Sequence, residues 1–357
     1  MKKLLIIISF LLLTSCNQNY NPRRVAYPVS VFFYQNDDPS NIYGLSLLTS
    51  TPYKSATVEL ESGLDIDLII ANETNSSLDK LINEIRLEGS TNINYSYVRS
   101  LIIHTNLINT PYLDKILSLC YFNLLLRPNI FIYTTSLDYK SLYDVTSSNG
   151  KSPYFNLLQT SFPNESEQVF KQATLNEFMS SFYDNRTSYL LNINVSDESE
   201  FIKNEEELKE NKQYKIDGVY YTLYNKKEFV YLKKEDLLGL TYYNEFKDFY
   251  LNNRDDEHSI YIEKTKRNYD IENNTLTIDI SSRLLNSIFD QNEENVYFEI
   301  KNKIYKIVEN TYTFCYSKDI DVFYIYDLSK RRKITNPKQF KLVINMHFIF
   351  QNVDLYI

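Results

Sequence analysis

Apolar positions along the chain fall into short blocks whose spacing alternates between the period of a strand and that of a helix. Between about Ala26 and Val195 the two kinds take turns. Thr57 to Leu60 and Ile66 to Ile70 read as short strands, and Ser76-Ser77-Leu78-Asp79 has the Ser-x-x-Asp form of a helix start. Leu78, Leu81, Ile82 and Ile85 then recur at i, i+3, i+4 and i+7, one apolar helical face. Tyr97 to His104 reads as a strand with Leu101-Ile102-Ile103 buried on both sides. Thr110-Pro111 opens a helix whose inner face is Leu113, Ile116, Leu117, Cys120 and Leu124. A strand from Asn129 to Thr134, helices near Tyr154–Gln159 and Thr174–Tyr183, and a strand from Tyr189 to Val195 complete this part. Strand–helix–strand units of this length predict a mixed sheet with helices against it.

The pattern breaks at 196–212. Ser196-Asp197-Glu198-Ser199-Glu200 runs into Glu205-Glu206-Glu207 and Glu210, a charge block that reads as a solvated linker. Lys215 to Leu223 and Glu228 to Leu232 then alternate in polarity around Tyr224-Asn225-Lys226-Lys227, the form of a β-hairpin, and a helix is expected from about Lys234 to Leu251. Together these make a middle unit over 213–252. A second polar stretch, Asn252 to Asn274, precedes a last unit over 271–357: a strand through Leu276, Ile278 and Ile280, a long helix from about Leu284 or Asn292 to Tyr316, and a strand from Phe340 to Phe350 with one buried face.

The first fifteen residues follow a different logic. Lys2 and Lys3 precede an apolar run from Leu4 to Leu13. At about 1.5 Å per helical residue the run covers roughly half of a ~30 Å bilayer core, so it fits a signal peptide and not a spanning helix. It ends in Leu13-Thr14-Ser15-Cys16, the form of a bacterial lipobox, followed by the polar Asn17-Gln18-Asn19. Residues 1–15 are therefore expected to be a lipoprotein signal peptide. Cys16 is the expected lipidation site, and 16–25 a lipidated tether onto the body that starts at 26. One acyl chain binds a membrane only marginally, at ~0.8 kcal/mol per buried methylene, whereas the two of a diacylglyceryl cysteine hold.

Composition removes several function classes. With 38 Lys+Arg against 46 Asp+Glu, the formal charge of −8 argues against tracking a nucleic-acid backbone. The six glycines, Gly44, Gly63, Gly89, Gly150, Gly218 and Gly239, are never clustered, so neither a P-loop nor a dinucleotide fingerprint is present. His104, His258 and His347 lack zinc-site spacing, Asp255-Asp256-Glu257-His258 reads as a solvated loop, and no Gly-x-Ser-x-Gly elbow exists. Carboxylate pairs such as Asp319/Asp321 are too common in an acidic chain to single out. Lys330-Arg331-Arg332-Lys333 reads as a solvated turn before the last strand, with contact to anionic lipid headgroups or an acidic partner surface as the sharper alternative. A disulfide between Cys120 and Cys315 is permitted in an exported protein, but their apolar neighbours favour buried free thiols. No catalytic, metal or cofactor-binding residue is expected; Cys16 is the one site.

The order of segments resembles the Ger(x)C family, the lipoprotein C subunits of spore germinant receptors. The likeness rests on Leu13 to Cys16 followed by Arg23-Arg24, on Ser77-Leu78-Asp79 through Tyr97 to Ile103, and on Arg127-Pro128-Asn129 with Ile130 to Tyr133. It continues through Asp217-Gly218-Val219-Tyr220, Lys226 to Leu232, Tyr316-Ser317-Lys318-Asp319 and Phe340 to Phe350. An aromatic beside the lipidated cysteine, a glycine in the first strand (Val29 to Asn36) and a Gly-rich ending near Asp321-Val322-Phe323 are absent. The resemblance implies an α+β chain of three domains with antiparallel or mixed sheets packed against helices. It implies a non-enzymatic subunit, lipid-anchored through Cys16 on the extracytoplasmic face of the spore inner membrane. Its partners would be an integral-membrane A-type subunit and a permease-like B-type subunit, with no nucleic acid and no cofactor. A solute-binding or surface adhesion lipoprotein of a Gram-positive bacterium is the alternative.

Overall fold

The computed structural model describes residues 25–38, 41–50, 68–85, 92–143, 170–197, 212–244, 247–252, 259–270, 273–286, 293–332 and 341–352. The strand expected at Thr57–Leu60, the helix expected at Tyr154–Gln159, the cluster Asp255 to His258 and Cys16 lie outside them.

The chain opens with β1 (Val25–Ala26), β2 (Pro28–Gln35), β3 (Tyr43–Ser50), β4 (Leu68–Asn75), α1 (Leu78–Glu84), β5 (Asn92–Ile93) and β6 (Ser100–His104). There follow α2 (Thr105–Ile108), α3 (Tyr112–Ser118) with a π-helical extension over Leu119–Asn123, β7 (Phe131–Thr135), α4 (Tyr139–Tyr143), α5 (Leu175–Tyr183) and β8 (Tyr189–Asp197). Next come β9 (Lys212–Thr222), β10 (Phe229–Lys233), α6 (Leu240–Tyr243) and β11 (Lys247–Asn252). β12 (Ser259–Asp270), β13 (Thr275–Asn286), α7 (Glu293–Ser317), α8 (Ile325–Arg332) and β14 (Lys341–Asn352) complete the order. Two larger sheets result, with strand orders β10-β9-β8-β7-β6-β2-β3-β4 and β11-β12-β13-β14. This is an α+β architecture of mixed sheets carrying helices.

In the eight-stranded sheet β2, β6, β7 and β8 run parallel, and β3, β4, β9 and β10 are antiparallel additions at its two sides. Alternation along the central strands splits their side chains between two cores. Val31, Phe33, Leu101, Ile103, Ile132 and Leu190 join one core with Leu81, Leu113, Ile116, Leu117, Cys120 and Phe178 from the helices. Phe32, Ile102, Tyr133 and Leu191 join the other, which continues without a break into Ile278, Ile280, Ile304, Val308, Phe323 and Ile344. The run Leu101-Ile102-Ile103 is apolar throughout because both faces of β6 are covered.

Three expectations change. Ser196 and Asp197 close β8 and Lys212 opens β9, and the two strands pair antiparallel. The hairpin read as a middle unit therefore extends the first sheet across the acidic stretch. The helix expected from Lys234 to Leu251 is instead a 3-10 turn (Lys234–Leu237), the single turn α6 and then β11. All four residues of α6 are buried, so the apolar spacing marks a turn enclosed on every side and not one face of a longer helix. Finally, the polar stretch 252–274 contains β12, the partner of both β11 and β13. Of the two starts expected for the long helix, Asn292 holds to within a residue: α7 begins at Glu293, because β13 runs on to Asn286 where it pairs with β14. As α7 crosses from β13 to the parallel β14, it buries Ile304, Val308, Thr311 and Cys315.

Candidate functional site

The residues read from sequence are dispersed. Cys120 and Cys315 are both free and buried, one in each core, so no disulfide joins them. Burial raises both thiols, Cys315 to about 12, which leaves neither as a nucleophile near neutral pH. His104 ends β6 and caps α2: its Nδ1 accepts from the Asn106 N–H at 3.2 Å, and its Nε2 lies 3.2 Å from the Ser136 carbonyl. His347 is exposed on the outer face of β14, opposite Ile344 and Met346. Lys330, Arg331 and Arg332 form the last turn of α8 and not a loop. Among the described residues, no group of three His, Cys, Asp or Glu is placed to hold a metal ion, and no helix is long and apolar enough to cross a membrane.

What the fold does assemble is a seam between the hairpin β9–β10 and the segment linking α7 to α8. Asp321 is its hub. The carboxylate is fully buried and accepts backbone N–H bonds from Ile325 (2.7 Å), Tyr326 (2.8 Å) and Asp327 (3.1 Å), together with the Tyr316 hydroxyl. Those three N–H groups belong to the first turn of α8, where a helix has donors but no internal acceptors for them. Burial nevertheless outweighs these donors and pushes the Asp321 carboxyl up to about 7. Asp319 and Tyr324 flank it in the left-handed region, at φ of 57° and 55°, and so reverse the chain between the two helices.

Tyrosines that look scattered in sequence meet at this place. The Tyr224 N–H in the hairpin turn donates to the Asp319 carbonyl at 2.8 Å, and the Tyr224 ring lies 4.5 Å from that of Tyr326. Tyr326 in turn meets Tyr316 edge-on at 5.1 Å, and Tyr316 stacks on Tyr312 at 4.5 Å. The hydroxyls of Tyr243 and Tyr269 both donate to the Phe323 carbonyl at 2.7 Å, and Arg267 sits 4.5 Å over the Tyr243 ring. Such ring pairs add about 0.5–1.5 kcal/mol each beyond the area they bury.

Beside the seam lies a cleft of about 630 Å³, walled on one side by α5 and the start of β8 and on the other by 322–328 and Arg267. A capping box fixes the first turn of α5: Thr174 Oγ1 accepts from the Glu177 N–H at 3.3 Å, and Glu177 Oε2 accepts from the Thr174 N–H at 3.0 Å. Arg186 follows a left-handed Asn185 (φ 52°) and holds Asp184 and Ser180 through Nη2, at 2.9 Å each. Tyr189 closes the floor by donating to the Lys171 carbonyl at 2.8 Å. Thr187 Oγ1 and Arg186 Nε are buried in this wall without a hydrogen-bond partner. With Lys171, Arg186 and Arg267 against Glu177 and Asp327, the lining suits a small polar group, and neither histidine nor cysteine contributes to it.

Sequence reasoning missed Asp321, which it treated as one carboxylate among many, and it missed the cleft altogether. The available signal was local: Asp321 precedes by four residues a run, Ile325 to Arg332, with a helix's worth of length.

Residues 21–195 match the family described as "Spore germination protein N-terminal domain". That span holds β1 to β7, β8 but for its last two residues, and the cleft's α5 wall. The chain is also similar to the solved structure entitled "Crystal Structure of the GerBC protein", at 11% identity and a TM-score of 0.49, with 90% of this chain and 97% of that one covered. No curated protein matches it in sequence. Over residues 21–195 the chain therefore carries a domain of the kind described as a spore germination protein N-terminal domain.

Proposed function

We propose that this germination protein is the lipid-anchored, non-enzymatic C subunit of a nutrient germinant receptor. It stands on the extracytoplasmic face of the spore inner membrane and assembles there with an integral-membrane A-type subunit and a permease-like B-type subunit. The observation that carries the reading is the family match at 21–195 lying directly behind the lipobox Leu13-Thr14-Ser15-Cys16. The body is then held to the membrane by the acyl chains of Cys16, and its work is docking: it presents a folded surface to the membrane-embedded subunits. Its two remaining thiols are too deeply buried and too weakly acidic to serve as nucleophiles, which supports a binding role over a covalent one.

Replacing Cys16 tests both halves. Spores carrying Cys16→Ala should release the protein from their membrane fraction and respond poorly to nutrients. Wild-type localisation together with wild-type germination would overturn the reading. Affinity purification from detergent-solubilised spore membranes should bring down two integral-membrane proteins, one of them permease-like. Recovery of an ABC transporter in their place would instead indicate a solute-binding lipoprotein.

A further inference from the structure

The strands β2, β6 and β7 are parallel, so their first residues share one edge of the large sheet. Backbone bonds lace that edge together. Asn94 N–H donates to the Ala26 carbonyl (2.8 Å), Arg99 N–H to Val29 (2.9 Å) and Phe131 N–H to Arg99 (3.0 Å). The loops that enter β6 and β7 here carry four large apolar side chains turned to solvent: Tyr97 (53% exposed), Tyr121 (41%), Phe122 (69%) and Leu125 (71%). They account for four of the seven large hydrophobic residues exposed among the described residues. Exposed apolar groups on the segments that enter one edge of a sheet mark a candidate contact surface.

Leu125 shows how this exposure is built in. Its neighbours Leu124 and Leu126 are buried, and its own backbone adopts φ 50°, a left-handed conformation that a leucine rarely takes. That turn ends the π-helical extension of α3 and aims the side chain away from the core its neighbours enter. The Tyr121 and Phe122 rings meet edge-on at 5.1 Å, and Tyr97 meets Tyr27 in the same way at 5.0 Å. Arg99 and Arg127, both exposed, lie in the same two loops.

The chain itself indicates what covers this edge. Val25 begins β1 beside it, and Cys16 lies nine residues earlier. At most ~3.3–3.6 Å per residue, that tether reaches roughly 30 Å, so an anchored body cannot stand far from its bilayer. We propose that this edge is a lipid-contacting face. Tyr97, Tyr121, Phe122 and Leu125 sit at the boundary between headgroups and acyl chains, and Arg99 and Arg127 lie at the level of the phosphates. Tyrosines favour this depth because the ring is apolar and the hydroxyl remains wet. Basic residues near anionic headgroups add to the attraction. The inference rests on the anchoring through Cys16 proposed above, and the second contact would fix the orientation of the body.

The chain has no tryptophan, so Phe122→Trp creates a single emitter at an exposed position. The full chain, lipidated at Cys16, is reconstituted into phosphatidylcholine–phosphatidylglycerol vesicles with and without brominated acyl chains, and vesicle flotation is recorded in parallel. The expected result is blue-shifted emission quenched by the brominated lipid, with Leu125→Trp behaving alike. Phe298→Trp, exposed on α7, should stay red and unquenched. Protein that floats with vesicles while Phe122→Trp and Leu125→Trp stay red and unquenched overturns the lipid-contacting face and leaves the anchor standing. Protein that does not float overturns the anchor and this inference with it. A blue shift that needs co-purified receptor subunits and is insensitive to brominated lipid assigns the edge to a protein partner, and likewise overturns it.

Discussion

Asp321 is the residue on which the seam turns, and its chemistry gives the fold a pH dependence of definite sign. In an unfolded chain an aspartate ionises near ~3.9, whereas the buried Asp321 carboxyl holds its proton up to about 7. Between those values the folded state binds the extra proton, so stability falls as pH rises. The contribution is fully present below about 4 and is lost as pH climbs through 7. Asp321→Asn cannot titrate, and its amide would turn N–H groups towards the N–H donors of α8. The melting-temperature advantage of the wild type over this variant should therefore shrink between pH 5 and pH 8. An advantage that stays constant over that range would show that the carboxyl does not titrate there. The buried thiols make a second residue-scale prediction. In the native mature protein neither Cys120 nor Cys315 should react with a thiol reagent at neutral pH, and both should react once the chain is unfolded without reductant. If neither reacts after unfolding, they are joined, contrary to the structure. Little of this was readable beforehand. The apolar company of the two cysteines was visible, but the role of Asp321 depends on where α8 begins, and the left-handed turns at Asp319 and Tyr324 that place it carry no glycine to announce them.

Among the elements, those with one clean period were legible, as was β6 with its continuous apolar run, whereas β12 and α6 were not. The helices at Leu78 and Thr174, the hairpin around Asn225 and the last strand each show one clean period, and each is where its spacing put it. β12 hid because of a bulge between Ile262 and Lys264, which shifts the pairing and breaks the two-residue alternation. Ile262 and Thr265 are both buried across an odd spacing, and the charged Lys264, Lys266 and Arg267 made the segment look like a loop. α6 hid for the opposite reason, being enclosed all round. The contact that encloses it is tight enough to test. The Gly239 N–H donates to Thr311 Oγ1 at 3.0 Å, and a Cβ on Gly239 would lie 2.8 Å from the Val308 Cα in α7. Gly239 precedes α6 at φ −62° and ψ −21°, angles that alanine adopts without strain, so only the lack of room stands against it. Because the obstacle is backbone, Gly239→Ala should destabilise by about 1–3 kcal/mol, the usual cost of overpacking, measured as a lower urea midpoint. An unchanged or higher midpoint would mean that α7 yields easily.

At the scale of the whole molecule, the first sheet, the hairpin and the C-terminal sheet share one apolar core, and the tyrosine seam around Asp321 stitches them. Sequence reading divided the chain at 196–212 because charge runs usually mark linkers. It could not see that the strands on either side pair with each other, since pairing between strands is not written in either one alone. The likeness to spore germination proteins over 21–195 was more readable than the architecture, because the order of segments is a local feature. Under the proposed function, this body works from a membrane to which Cys16 ties it. Intact-mass and N-terminal peptide mass spectrometry of the protein isolated from spore membranes tests that directly. The expected product is a chain that begins at Cys16 and carries a diacylglyceryl thioether on its sulfur. An unmodified Cys16 sulfur, or a chain that still begins at Met1, would contradict it.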